Sequence, residues 1–208
     1  MPKVRSLLVT LRLYGIAGAR RLLANNLYSR THCFRLHLDL RGWQSNGHPG
    51  VSGPVKVRRG RLEELRRWRG TVKLPPDFFE DLTHELQWFY LGFWNEEIAH
   101  IQWIADGERP CTVSNLVLQP GEVEIRNVHT LAKFRRKHLY SHVVAFAIND
   151  LQSSGIKTIY AHVNTDNTAS LNGFLAAGFR SIERITTRRL IGVDRIKHEI
   201  LQGSAQRT

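Results

Sequence analysis

Between a run that alternates like a strand, residues 123–130, and one that reads as a helix, residues 139–151, the chain carries Arg135, Arg136, Lys137 and His138 in succession. Cationic side chains where a helix begins can hold an anion. The first helical N–H groups lack an intrahelical partner, and the macrodipole is positive at that end. A second strand-to-helix junction holds Asn167 and Ser170, and the strand entering the first junction holds two proton acceptors, Glu124 and His129. A carboxylate beside an apolar pocket would have its pKa raised into a range useful to a general base. The plain alternative is a strand glutamate facing Arg126 or another cation, with a packed or solvated imidazole at 129.

These side chains need a scaffold to position them. Residues 33–40, 55–58, 88–94, 98–104, 112–118, 123–130, 156–163, 179–191 and 194–201 read as strands, with turn chemistry at Asn95-Glu96 and Gln119-Pro120-Gly121. Helices are expected over 62–69, from Asp77 as cap through 86, over 139–151 ending near Gly155, and over 169–177 with Gly178 as left-handed stop. Residues 4–28 place apolar side chains at roughly helical spacing between arginines, broken at Gly15 and Gly18 into two helices. Such a segment either packs on the domain or lies on a membrane surface. Four glycines and two prolines over 42–54 read as a linker, dividing the chain into a basic extension, 1–54, and a domain, 55–208. Hairpins leading into strand, helix, strand, helix and strand predict a mixed α/β sheet. The aromatics from Trp88 to Trp94, and Trp103, read as core and hairpin packing, with an acyl or acceptor pocket as the second reading.

Two stretches resemble the GNAT superfamily of N-acyltransferases. The run from Thr130 to Tyr140 is similar to the junction whose backbone amides bind the pyrophosphate of coenzyme A in that family. The family's pattern there is Arg or Gln, two variable residues, Gly, one variable residue, then Gly or Ala. The glycine positions are His138 and Tyr140 in this chain; side chains there cost about 1 kcal/mol each where φ must be positive. The run over 163–179 is similar to the family's strand, Asn, helix and Gly-Phe ending. The resemblance implies a GNAT-like α/β fold with a centrally splayed sheet flanked by helices. It implies acetyl-CoA, or another acyl-CoA, as co-substrate and no metal. Contacts to it would come from Thr130, Arg135, Arg136, Lys137, His138, Leu139, Tyr140, Asn167 and Ser170. Glu124, eleven residues before Arg135, is spaced like a general base in some members. Where many members carry a Tyr that protonates the leaving thiolate, this chain has Phe174, which leaves that role vacant or to Tyr140, Tyr160 or water.

Charge bears on partners. The net +12 lies wholly in the first third, where residues 1–70 hold 15 Lys/Arg against 3 Asp/Glu and residues 71–208 hold 15 against 15. A basic extension argues for an anionic partner, whether acidic acyl carrier protein, phospholipid or nucleic acid, with a solvated face as the plain alternative. Cys33 and Cys111 are too few and too far apart for a disulfide framework or a metal set, which points to a reducing compartment. No run reaches the roughly 18 apolar residues of a membrane span. A cytoplasmic protein, or one peripheral to a membrane, is expected. The functional readings are acyl transfer from acyl-CoA to a small-molecule or peptide amine, the same transfer from acyl carrier protein, or a non-catalytic binding module on membrane or nucleic acid.

Overall fold

A computed structural model of the chain describes residues 15–16, 27–44, 54–107, 116–191 and 193–201. Within these, eight strands form one sheet in the order β2-β3-β4-β5-β6-β1-β7-β8. They are β1 Tyr28–Asp39, β2 Val55–Arg59, β3 Trp88–Trp94, β4 Glu97–Asp106, β5 Glu122–Thr130, β6 Thr158–Asn164, β7 Arg180–Leu190 and β8 Val193–Ile200. All neighbours are antiparallel except β5 and β6.

That parallel pair is short and then parts. Glu122–Ile125 pair with Thr158–Ala161, where the ladder ends. Beyond it β5 stays on β4 as far as Thr130 opposite His100, while β6 stays on β1 as far as Asn164 opposite Cys33. The sheet therefore forks at its centre, as the resemblance implied. A bulge in β5 between Arg126 and His129, with Asn127 at φ 41°, increases the local bend.

Period-two alternation sorts the side chains. Phe89, Leu91, Ile101 and Trp103 pack on one face with Leu65 of α1 Leu62–Thr71 and Phe78 of a 3₁₀ turn, Pro76–Phe79. Tyr90 and Ile104 face the other way, onto Val143, Val144, Ala147 and Ile148 of α3 Leu139–Ser153. The aromatic strands are thus core on both faces. Arg69, buried against Asp81 and 4.4 Å over the Phe79 ring, clasps α1 to the 3₁₀ turn and the short α2 Glu80–Thr83. The last helix, α4 Thr168–Ala176, shares the core of α3 through Phe174 and stops at Gly178, φ 93°. The approach of α3 to the sheet needs Gly92, where a Cβ would lie 2.8 Å from Val143 Cγ2.

Three expectations change. Asp77 does not cap a helix through 86: the N-cap is Pro75, with no side-chain hydrogen bond, and regular helix ends at Thr83. Pro76 presets a tight first turn, which turns the Asp77 carboxylate toward His129 instead. Of the strand expected over 112–118, residues 116–118 are not strand and 112–115 lie outside the described residues. The segment assigned to the extension forms β1, which begins at Tyr28 and is hydrogen-bonded between β6 and β7. A cut at residue 54 would remove an interior strand. The helices expected over 4–28 lie almost entirely outside the described residues. No helix among the described residues is long and apolar enough to cross a membrane.

Candidate active site

The fork separates the ends of β5 and β6, and α3 and α4 begin beside the gap. A cleft of about 600 Å³ opens there, and all nine residues that the resemblance marks for the cofactor line it. Glu124 does not.

The electrostatics of the cleft follow from its backbone. α3 has no side-chain cap, and its first ladder bond joins the His142 N–H to the His138 carbonyl at 3.1 Å. The amides of Leu139, Tyr140 and Ser141 therefore have no acceptor within the helix. Arg135, Arg136 and His138 are exposed beside them, and no lining residue carries a carboxylate. Orphan donors, a positive helix end and added cations together favour an anion. Arg136 and His138 hold φ of 63° and 56°, so the loop keeps the left-handed shape that glycine adopts freely.

Other members of the set have narrower parts. Leu139 is core and offers only its amide. Lys137 Nζ lies 4.1 Å over the Trp94 ring. Thr130 Oγ1 is 2.7 Å from His100 Nδ1, and Asn167 caps α4 by accepting from the Ser170 N–H at 3.1 Å. The ring of Tyr140 lies over Gly173, where a Cβ would be 2.4 Å away, and its hydroxyl donates to the Ser170 carbonyl at 3.4 Å. A large side chain at 140 is matched by none at 173, so α4 accommodates the ring. Burial pushes the Tyr140 phenol pKa up, which keeps its proton in place. Phe174 packs 4.9 Å from Phe179 and 5.6 Å from Tyr140, ring to ring; it is core and is absent from the cleft lining.

Glu124 stands at the vertex of the fork, one residue before the last parallel pair, and is 2% exposed. Its surroundings are not an apolar pocket. Oε1 lies 2.7 Å from His162 Nδ1, and Oε2 lies 3.9 Å from Arg126 Nε. The far nitrogen of His162 accepts from Arg35 at 3.2 Å, and Arg35 pairs with Glu183 at 2.5 Å. A guanidinium can only donate, so the imidazole proton sits on Nδ1 and points at Glu124. Sequence reasoning missed this network. Its signal was Arg35 and His37 alternating with Leu36 and Leu38, and Tyr160 and His162 alternating with Ile159, Ala161 and Val163. The rival base, His129, does line the cleft and pairs with Asp77 at 3.1 Å, holding that carboxyl below its usual range. Glu124 and His129 share the α1 face of β5, being paired with Ala105 and Ile101. In the basic segment, Arg58 is paired with Glu64 and Arg69 with Asp81, whereas Arg61, Arg66 and Arg67 are exposed.

A family model, the acetyltransferase (GNAT) family, matches residues 62–179. Among solved structures the chain is similar to a Drosophila protein at 13% identity, covering 85% of this chain and 58% of that one with a TM-score of 0.58. It is similar to a GNAT-family acetyltransferase from Novosphingobium aromaticivorans at 16% identity, covering 76% and 63%, TM-score 0.52. It is also similar to a fungal multi-domain β-N-acetylglucosaminidase with a glucosamine N-acetyltransferase region at 12% identity, covering 88% and 23%, TM-score 0.57. This chain spans about three fifths of the length of the first two. No curated protein matches the sequence.

Proposed function

The chain belongs to the acetyltransferase (GNAT) family, and on that premise we propose that it transfers an acyl group, acetyl in the simplest case, from an acyl-CoA to an amine. The observation that carries this reading is the acid-free cleft at the fork, where α3 begins with uncapped amides beside Arg135, Arg136 and His138. Those amides hold the pyrophosphate. The thioester arm runs along β5 toward the vertex at Ile125, roughly 17 Å from Thr130. The amine, of a small molecule or a peptide, approaches from the α1 face. Glu124, oriented by His162, removes its proton, and water supplies one to the leaving sulfur. One observation favours His129 as base instead: it lines the cleft while Glu124 is sealed. Glu124→Gln and His129→Gln separate the two, because only loss of the base collapses turnover. Titration with acetyl-CoA tests the whole reading, with saturable binding expected and weakened by Arg135→Ala and Arg136→Glu. No binding of any acyl-CoA at millimolar ligand overturns it. A cytoplasmic location belongs to the same proposal.

A further inference from the structure

The strands on the far side of the fork overreach it. β6 ends at Asn164 opposite Cys33, yet β1 runs five residues further, about 17 Å, still paired to β7, before the β7–β8 hairpin closes the end. At that tip Leu27, Tyr28, Leu190, Ile191 and Val193 are each between 62% and 76% exposed. Five large apolar side chains gathered at one end are not the scattered exposure of an ordinary surface. Ile191 holds φ 49°, a left-handed conformation that a β-branched residue resists, so its side chain is displayed against local preference.

The register behind the tip is the second observation. Tyr28 faces Leu190, and Leu190 faces Val193; two residues back on the same face Arg30 faces Arg188, and Arg188 faces Arg195. An apolar row is thus followed, about 7 Å behind, by three arginines on adjacent strands. Like charges directly opposite repel, and among the described residues no carboxylate pairs with any of the three. Arg184 and Lys197 extend the row into an open groove of about 440 Å³ in which Glu199 is the one acid. Although residues 71–208 are neutral overall, the fold segregates their charge here and adds Arg30 to it.

An apolar edge backed at one step by guanidinium groups fits the boundary between acyl chains and headgroup phosphates. Nucleic acid would meet the arginines but leave the apolar row in water, and a second copy laid on the same patch would set arginine against arginine. We infer that the β7–β8 hairpin tip, with Tyr28 and Arg30, docks the protein on an anionic phospholipid surface. This inference stands apart from acyl transfer.

The full chain is sedimented with vesicles of phosphatidylcholine alone and of phosphatidylcholine with phosphatidylglycerol, at low and high salt. It should pellet with the anionic vesicles only, less so as salt rises. Arg188→Glu with Arg195→Glu, and Ile191→Asp with Val193→Asp, should each weaken that binding by about tenfold or more while leaving acetyl-CoA binding unchanged. Tryptophan placed by Ile191→Trp should add emission that shifts to the blue on the anionic vesicles. Equal pelleting of wild type and both double variants overturns the inference. So does tighter binding to duplex DNA than to the vesicles, or a concentration-dependent dimer lost in Val193→Asp without vesicle binding.

Discussion

Nδ1 of His162 lies 2.7 Å from Oε1 of Glu124, and both side chains are at most 5% exposed. Arg35, donating to the other imidazole nitrogen, leaves the His162 proton on Nδ1, where it orients the Glu124 carboxyl group. In Glu124→Gln the shape survives and the proton acceptor does not. Turnover of an amine should fall by about 10²- to 10⁴-fold, the range of general-base catalysis, with acyl-CoA affinity unchanged. His162→Gln, which can still donate, should lose less. Steady-state kinetics beside equilibrium binding of acetyl-CoA decide it, and a Glu124→Gln enzyme with full turnover would pass the role to His129.

The cradle makes a separate claim about binding. Arg136 lies at the uncapped end of α3 with no lining acid near it, so Arg136→Glu should raise the Kd for acetyl-CoA by about tenfold or more. Arg135→Ala should act in the same direction with smaller effect, because its Nε is already 3.4 Å from the Thr130 carbonyl. Both effects should shrink as salt rises. Calorimetric titration at two ionic strengths measures this, and a Kd indifferent to both substitutions would move the anion elsewhere.

Which of these features could be read from the chain depends on whether their causes are local. The junction from Thr130 to Tyr140 and the helix stop at Gly178 follow from neighbouring residues, and both are where the sequence put them. β1 was legible as a strand from its alternation, but its place between β6 and β7 is decided by partners more than a hundred residues away. The same holds for Glu124. Its position on β5 was readable, whereas His162 and Arg35 reach it only once three strands lie side by side. Asp77 failed for a local reason: Pro75-Pro76 imposes a 3₁₀ turn in which no side chain is needed as cap.

Two glycines should respond to alanine with opposite signs. At Gly92 a Cβ would lie 2.8 Å from Val143 Cγ2 and 3.0 Å from His100 Cβ, contacts pinned by α3 and by β4. Gly92→Ala should destabilise by about 1–3 kcal/mol, as overpacking does. Gly70, inside α1, meets nothing within 4 Å, so Gly70→Ala should stabilise by about 0.5–1 kcal/mol. Urea midpoints of the two variants against wild type test both signs together.

His100 makes stability depend on pH. It is fully buried beneath α3, its Nε2 has no hydrogen-bond partner, and burial first, with the charge of His129 second, lowers its pKa to about 3 from 6.5. Between those values the unfolded chain binds a proton that the folded chain does not. Stability therefore rises with pH through this window and is lost as pH falls, by up to about 1.4 kcal/mol for each pH unit below about 6.5. Burial also lowers the pKa of His37, which adds to the slope in the same direction, so the comparison must be with a variant. His100→Gln should be less stable at neutral pH, because it disturbs a packed site bonded to Thr130, yet flatter from about pH 6.5 to 5. Denaturation of both proteins across that range gives the two slopes. Parallel slopes would mean that protonating His100 costs the fold nothing, and that the wall between α3 and the cleft is open to water.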